Sequence, residues 1–158
     1  MHAQVIRRAT EDDEPFLVEM LYEALFVPPG EAPLPRSVLD KPEIAHYVRG
    51  FGRQRGDVGY VAETVPGEPL GAAWVRQFTS DDPGYGYVDD HTPELSIAVV
   101  ADYRRTGVGT DLLAHLLDEV PRCSLSVDER NPAIRLYGRF GFEIIATKGT
   151  SVTMLRNE

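Results

Sequence analysis

The chain has 158 residues, enough for one domain with a real hydrophobic core, and its 42% hydrophobic and 26% charged shares are those of an ordinary soluble globular protein. A net charge of −9, from 25 acidic against 16 basic residues, excludes a general affinity for nucleic acid and favours a neutral or cationic partner. No apolar run is long enough to cross a bilayer, the polar start from Met1 to Glu14 is no secretory leader, and Cys123 is the one cysteine, so a cytoplasmic location away from membranes is expected.

In chain order, the residues around Val5 and Ile6 predict a first strand ending at Thr10. Thr10 is a plausible N-cap, followed by Glu11, Asp12 and Asp13, which suit the first turn of a helix. Phe16, Leu17, Met20, Leu21, Ala24 and Leu25 recur at helical spacing and carry that helix to Phe26. Pro28, Pro29, Gly30, Pro33 and Pro35 demand a loop, and a second, weakly amphipathic helix is expected from Val38 to Phe51. Gly59 to Ala62 and Gly71 to Val75 read as a hairpin across Pro66-Gly67-Glu68-Pro69. After a loop through Ser80–Gly86 and Val88–Thr92, the run Glu94–Val100 is apolar on both faces and reads as a central strand. Gly107 to Val120 predicts a helix with Val108, Leu112, Leu113, Leu116 and Val120 turned inward. Cys123 to Val127 is a further strand, with Cys123 as core filler. Asn131-Pro132 opens a helix that Gly141 stops, and Ile144-Ile145 and Val152–Leu155 close the chain as strands. The order β-α-α-β-β-β-α-β-α-β-β, without repeat or linker, predicts a single α/β domain over residues 1–158 with a mixed sheet.

The turn after the central strand carries the strongest chemical signal: Arg104-Arg105-Thr106-Gly107-Val108-Gly109-Thr110. A helix start holds N–H groups without intrahelical partners and partial positive charge. Glycines let an anion approach those amides, and two arginines and a threonine hydroxyl complete a pyrophosphate cradle in an acidic chain. The alternative is a helix that merely begins on a Gly-rich turn with two solvated arginines. A P-loop is excluded because no Lys follows the glycines. The third glycine of a dinucleotide fingerprint would fall at Leu112, which excludes that motif too.

The run Arg104-x-x-Gly107-x-Gly109 between a central strand and an amphipathic helix resembles the acetyl-CoA-binding motif of the GNAT superfamily of N-acetyltransferases. Asn131 to Phe142 resembles the same family's helix bearing Asn, Ala and Tyr before Gly-Phe, and the element order matches the GNAT fold along nearly the whole chain. The resemblance implies a sheet splayed after its central strand, with a bulge at Val99 and Val100. It further implies acetyl-CoA as cosubstrate, no metal, and transfer to an amine by direct attack on the thioester. A backbone N–H of Val100 or Val99 would polarise the thioester carbonyl. Arg104, Arg105, Thr106, Gly107, Val108, Gly109 and Thr110 would hold the pyrophosphate. Asn131 would contact the pantetheine arm or the adenosine side, or serve only as an N-cap.

Two residues are candidates for proton handling. Glu94 shares a strand face with Ser96 and Ala98 and is either the base that accepts the amine's proton or a strand-end carboxylate in solvent. Asp128 and Glu129 are weaker substitutes. Tyr137 falls where the family places a tyrosine near the departing sulfur; the alternative is a core tyrosine beside Ala133 and Leu136.

The acceptor, a small-molecule or peptide amine, is expected between residues 26–36 and 79–91, where Asp81, Asp82, Asp89 and Asp90 stand among Tyr85 and Tyr87. These aspartates form either a cation-attracting rim or a solvated loop. His2, His46, His91 and His115 lack metal-ligand spacing, and only His91 is an auxiliary site candidate. Trp74 reads as core. Rival readings are a non-catalytic acyl-CoA sensor of the same fold and a phosphate-binding module for another nucleotide. The oligomeric state, a homodimer included, is left open.

Overall fold

Among the described residues, 4–157 of the computed structural model, seven strands form one mixed sheet. They are β1 (Gln4–Arg8), β2 (Val58–Thr64), β3 (Pro69–Arg76), β4 (Glu94–Val99), β5 (Cys123–Asp128), β6 (Glu143–Lys148) and β7 (Ser151–Arg156), in the order β1-β2-β3-β4-β5-β7-β6. Met1, His2, Ala3 and Glu158 lie outside the described residues. Neighbouring strands pair antiparallel, except β4 with β5, which run parallel and share one register point, Glu94↔Ser124.

Helices cover both faces, which is why β3 and β4 lack a simple alternation of apolar and polar residues. On one face α1 (Glu14–Ala24) and α2 (Pro42–Ala45) bury Leu17, Met20, Leu21 and Ile44 against Trp74 and Ala98. On the other, α3 (Val108–Glu119) and α4 (Ala133–Arg139) bury Leu112, Leu113, Leu116 and Tyr137 against Val75, Leu95 and Leu125. Each large apolar side chain removed from water stabilises the fold by roughly 1.5–3 kcal/mol. Cys123 and Trp74 are both buried, and the Trp74 indole N–H donates to the Tyr47 carbonyl at 2.9 Å.

The start of α1 follows the sequence logic. Thr10 caps a short 3-10 turn by accepting from the Asp12 N–H, and Asp13 returns a bond to the Thr10 N–H. The end comes two residues early: Leu25 turns extended, with Pro28 and Pro29 ahead of it. Asn131 caps α4, its Oδ1 accepting from the Ala133 N–H at 2.9 Å.

The second helix departs most from expectation. Instead of one helix over Val38 to Phe51 there is a 3-10 turn (Arg36–Asp40), the four residues of α2, and irregular turns through residue 57. Lys41 is extended because Pro42 follows it. Beyond α2, the buried guanidinium of Arg76 collects the carbonyls of His46 at 3.1 Å and Arg49 at 2.6 Å, drawing them away from helical partners. The same guanidinium makes two bonds to Asp57, at 3.0 and 2.9 Å, with both side chains at most 2% exposed. Asp57 in turn accepts from the N–H groups of Gly52 and Gln54.

Removing one partner of such a pair strands a buried charge, at a cost of about 3–5 kcal/mol. Asp57→Ala is therefore expected to lower stability by that amount in urea unfolding, with Arg53→Ala, on the exposed rim of the same segment, within about 0.5 kcal/mol of the parent.

Candidate active site

The site begins with what β4 does not pair. Its ladder with β3 runs without a register shift from Arg76↔Glu94 to Gly71↔Val99, and the Val100 N–H continues it by donating to the Leu70 carbonyl at 2.8 Å. The bulge expected at Val99 and Val100 is absent: the strand stays in register and then leaves through a 3-10 turn, Ala101–Tyr103. Because antiparallel bonding alternates, the bond at Val100 aims the N–H groups of Ile97 and Val99 at the β5 side. There the parallel ladder has ended after Glu94↔Ser124, so the two strands part. Val100 is thus corrected as a donor toward the opening, since β3 already holds its N–H; Val99 keeps that geometry, and Ile97, which the sequence reading omitted, shares it.

Two cavities meet at this parting. The larger, about 750 Å³, lies between the end of β4, the start of α3 and α4, with the segment after α1 as its further wall. The smaller, about 240 Å³, contains Glu94, Tyr47 and Tyr85 and reaches across to Ser126 on β5. Ile97, Asn131 and Tyr137 line both. The opening between the strands therefore connects the two faces of the sheet.

Arg104, Arg105, Gly107, Gly109 and Thr110 line the larger cavity, together with Val99 and with Arg139, which the sequence reading had not singled out. Gly107 caps α3 at φ 92, a conformation that favours glycine, and a Cβ there would meet nothing within 4 Å, so the approach to the helix start is open. The first bond of α3 runs from the Asp111 N–H to the Gly107 carbonyl, leaving the N–H groups of Val108, Gly109 and Thr110 as the donors at its start. The Val108 side chain is buried, so it offers its backbone alone, and the Thr106 hydroxyl is turned back onto the Tyr103 carbonyl. Neither Thr106 nor Val108 lines the cavity. Arg104 is also engaged, with Nε on the Val99 carbonyl at 3.2 Å and a terminal nitrogen on Glu23 at 2.8 Å. Arg105, exposed at φ 64, and Arg139, also exposed, have no ion-pair partner among the described residues and are the cations free to meet an incoming anion. The donors, the glycine opening and Arg105 fit a pyrophosphate group.

Glu94 is 3% exposed, which rules out the strand-end carboxylate in solvent. Its Oε2 accepts from the Tyr47 hydroxyl at 2.5 Å, and that hydroxyl accepts from the Tyr85 N–H at 2.7 Å. Oε1 is buried without a hydrogen-bond partner of ordinary geometry. A Cβ on Gly84 would stand 2.2 Å from Oε1, so only glycine leaves that oxygen room. Burial pushes the Glu94 carboxyl up to about 7, offset in part by the Tyr47 bond and less by the Gly86 N–H. Arg76 sits directly across the ladder, but Asp57 and two carbonyls occupy its guanidinium, so no cation lowers Glu94. Tyr47 is pushed well above the usual tyrosine range by burial and by Glu94.

Tyr137 is both buried and turned to the opening. Its ring packs edge-on to Phe142 at 6.0 Å, while its hydroxyl makes no hydrogen bond among the described residues; burial pushes it up to about 12.

The expected acidic rim does not assemble at either cavity. Asp82 binds His46 at 2.9 Å, Asp89 accepts from the His91 N–H and faces Arg122, and Asp90 accepts from Tyr87. None of Asp81, Asp82, Asp89 and Asp90 lines a cavity, and nor does His91; of that loop only Tyr85 does. Asp128 lines the smaller cavity, and Glu129 lines neither. Tyr47, the partner of Glu94, was missed because nothing local in residues 38–51 distinguishes it. No helix among the described residues is long and apolar enough to cross a membrane, and no cluster of His, Cys, Asp and Glu among them is placed to hold a metal ion.

Comparison with known proteins gives this arrangement a family. The acetyltransferase (GNAT) family matches residues 18–142, and the chain belongs to it. No curated protein matches the sequence. Among solved structures, the ribosomal-protein-alanine N-acetyltransferase from Brucella melitensis is 25% identical with a TM-score of 0.65, over 96% of this chain and 98% of that one. The PaiA N-acetyltransferase from Thermoplasma acidophilum, in complex with coenzyme A, is 14% identical with a TM-score of 0.68 over 98% of each chain. The yncA structure from Salmonella typhimurium, with its cofactor acetyl-CoA, is 23% identical with a TM-score of 0.65, covering 98% of this chain and 92% of that one.

The Glu94 environment has a measurable thermodynamic signature. An unfolded glutamate ionises near its ordinary value of 4.5, whereas the folded one holds its proton to about 7. Between those values the folded state binds more protons, so stability falls as pH rises, by about 3 kcal/mol over the interval. Urea unfolding across pH 4.5–7 is expected to show a decline of that order from this group, absent in Glu94→Gln.

Proposed function

We propose that this GNAT-family chain moves the acetyl group of acetyl-CoA onto an amine, which attacks the thioester directly. The observation that carries the reading is the meeting of two cavities at the unpaired edge of β4, one with helix-start donors and arginines, the other with a buried carboxyl.

In this reading the N–H groups of Val108, Gly109 and Thr110 and the guanidinium of Arg105 hold the pyrophosphate. The N–H groups of Ile97 and Val99 offer strand-like bonds to the amide-rich arm and a donor for the thioester oxygen. The Asn131 amide nitrogen has no hydrogen bond among the described residues while Oδ1 accepts from Ala133, and Asn131 lines the same opening. When bound, acetyl-CoA supplies an electrophilic acyl carbon and a thiol leaving group.

Glu94 takes the amine's proton. An alkylammonium near pKa 10.4 passing its proton to a carboxyl near 7 loses about 4–5 kcal/mol, a modest share of a chemical barrier. Tyr47 fixes the carboxylate through Oε2, so Oε1 is the oxygen left to receive the proton. Tyr137 stays protonated at neutral pH and gives a hydrogen bond to the departing sulfur. Full proton transfer from that phenol to a thiolate of pKa about 8.5 is uphill, so its contribution is stabilisation of charge rather than protonation.

Thiol release from acetyl-CoA over a panel of amines tests the assignment. Arg105→Glu, which leaves the internal hydrogen bonds intact, is expected to raise the KM for acetyl-CoA about tenfold or more with little change in kcat; an unchanged KM removes Arg105 from the cradle. Tyr137→Phe is expected to cut kcat about 10- to 100-fold while coenzyme binding holds. In the parent, kcat/KM falls below a pH near 7 as Glu94 gains its proton, and Glu94→Gln should lose that limb along with most of the rate.

A further inference from the structure

The charges of the two cavities are partitioned. Arg104, Arg105 and Arg139 line the larger one, with Glu23 paired to Arg104. The smaller one is lined by no Lys, Arg or His at all, and its acidic groups are Glu94 and Asp128. Asp128 is already gripped by Arg130, at 2.9 and 2.8 Å, from outside the lining, which holds it well below the usual carboxylate range. Glu94 is therefore the one acidic group there without a basic partner. Most of the remaining wall is apolar, with Leu21, Leu25 and Phe26 from α1 and its end facing Leu125 and Val127 on β5. At about 240 Å³ the space falls below the usual range for ligand pockets.

These facts select among amines. A free α-amino acid carries its carboxylate one carbon from its nitrogen, so the anion would enter beside Glu94 with no cation to meet it. Burying an unpaired charge is among the most costly events in a binding site. A polyamine brings a second ammonium, which would meet the apolar wall, neutral groups such as Ser96, Ser126 and Asn131, or an already neutralised Asp128, and no second free carboxylate. Resting on the acetyl-transfer reading above, we infer that the smaller cavity takes a small primary monoamine with an apolar body and no carboxylate. Its nitrogen meets Glu94, and its body packs between the end of α1 and β5.

The test is a matched acceptor series with the full chain and acetyl-CoA: 2-phenylethylamine, L-phenylalaninamide, L-phenylalanine, spermidine and a short peptide with one internal lysine. Thiol release is read and kcat/KM is referred to free-amine concentration. The amine and the amide are expected within about tenfold of each other, and the amino acid at least about 100-fold lower. Rejection of the amide as strongly as the acid makes the exclusion one of shape and overturns the inference. Phenylalanine as good as phenylethylamine, or preference for spermidine or the lysine peptide, also overturns it while leaving acetyl transfer in place. Thiol release from none of the five, despite acetyl-CoA binding, takes down the acetyl-transfer reading and this inference with it.

Discussion

The guanidinium of Arg76 is the group on which the Glu94 side of the site depends. It projects from β3 into a layer that offers no water, and it is satisfied by Asp57 and by the carbonyls of His46 and Arg49. Those bonds convert residues 46–57 from a helix into a fixed series of turns. They also hold the backbone on either side of Tyr47, whose own carbonyl receives the Trp74 indole. Tyr47 is thus pinned by its main chain from two directions, and its hydroxyl reaches Glu94. The pair has a second effect. A free arginine opposite Glu94 on the neighbouring strand would hold that carboxylate ionised and unreactive. Because Asp57 has claimed the charge, burial alone governs Glu94 and pushes it toward neutrality.

The second constraint is an omission. Sheets are stabilised by continuous ladders, yet β4 and β5 share one register point before they part. Each buried strand group left without a partner carries a penalty of about 1–3 kcal/mol, so an unpaired edge inside a sheet is unstable unless something else occupies it. Here the edge opens onto a cavity, where water or a bound amide chain can satisfy it. The remaining pairs, β3 with β4 and β5 with β7, keep the two halves of the sheet rigid on either side. The gap is therefore a defined slot rather than a frayed end.

What the sequence disclosed and what it withheld divide along the same physical line. The strands, the amphipathic face of α3 and the open Gly-rich start of that helix at Gly107 were legible because each depends on neighbours within one turn or one strand. The role available to Glu94 was visible only as a choice between base and solvated end, since burial is a property of the assembled fold. Tyr47 was invisible: its partner is 47 residues away and the turns that aim it are dictated by Arg76. Val100 and Val99 could not be told apart as donors because which N–H points inward depends on the β3 register, set by the bond to Leu70. The aspartates of residues 81–90 offered either an acidic, cation-attracting rim or a solvated loop; they cap turns, bind His46 and face Arg122, uses that composition cannot distinguish from recognition.

On the proposed reading, an acidic chain that receives a polyanion and an amine at one place faces opposite electrostatic demands. Spreading its charge evenly would serve neither. The sheet resolves this by standing between them: arginines and helix-start amides gather on the side of α3 and α4, and the carboxyl of Glu94 lies on the side of α1. The two environments touch at the opening between β4 and β5, where Ile97, Asn131 and Tyr137 border both, and along the end of α1, where Ala24, Leu25 and Phe26 do. In the proposed transfer, a nucleophile approaching from the acidic side would meet an electrophile held from the basic side across a single layer of backbone. Charge separation of this kind costs the protein little, because each cavity keeps its own counter-charges, Glu23 for Arg104 and Arg130 for Asp128. What is left over, Arg105 and Arg139 on one side and Glu94 on the other, are the groups that the two reactants of the proposed transfer would meet.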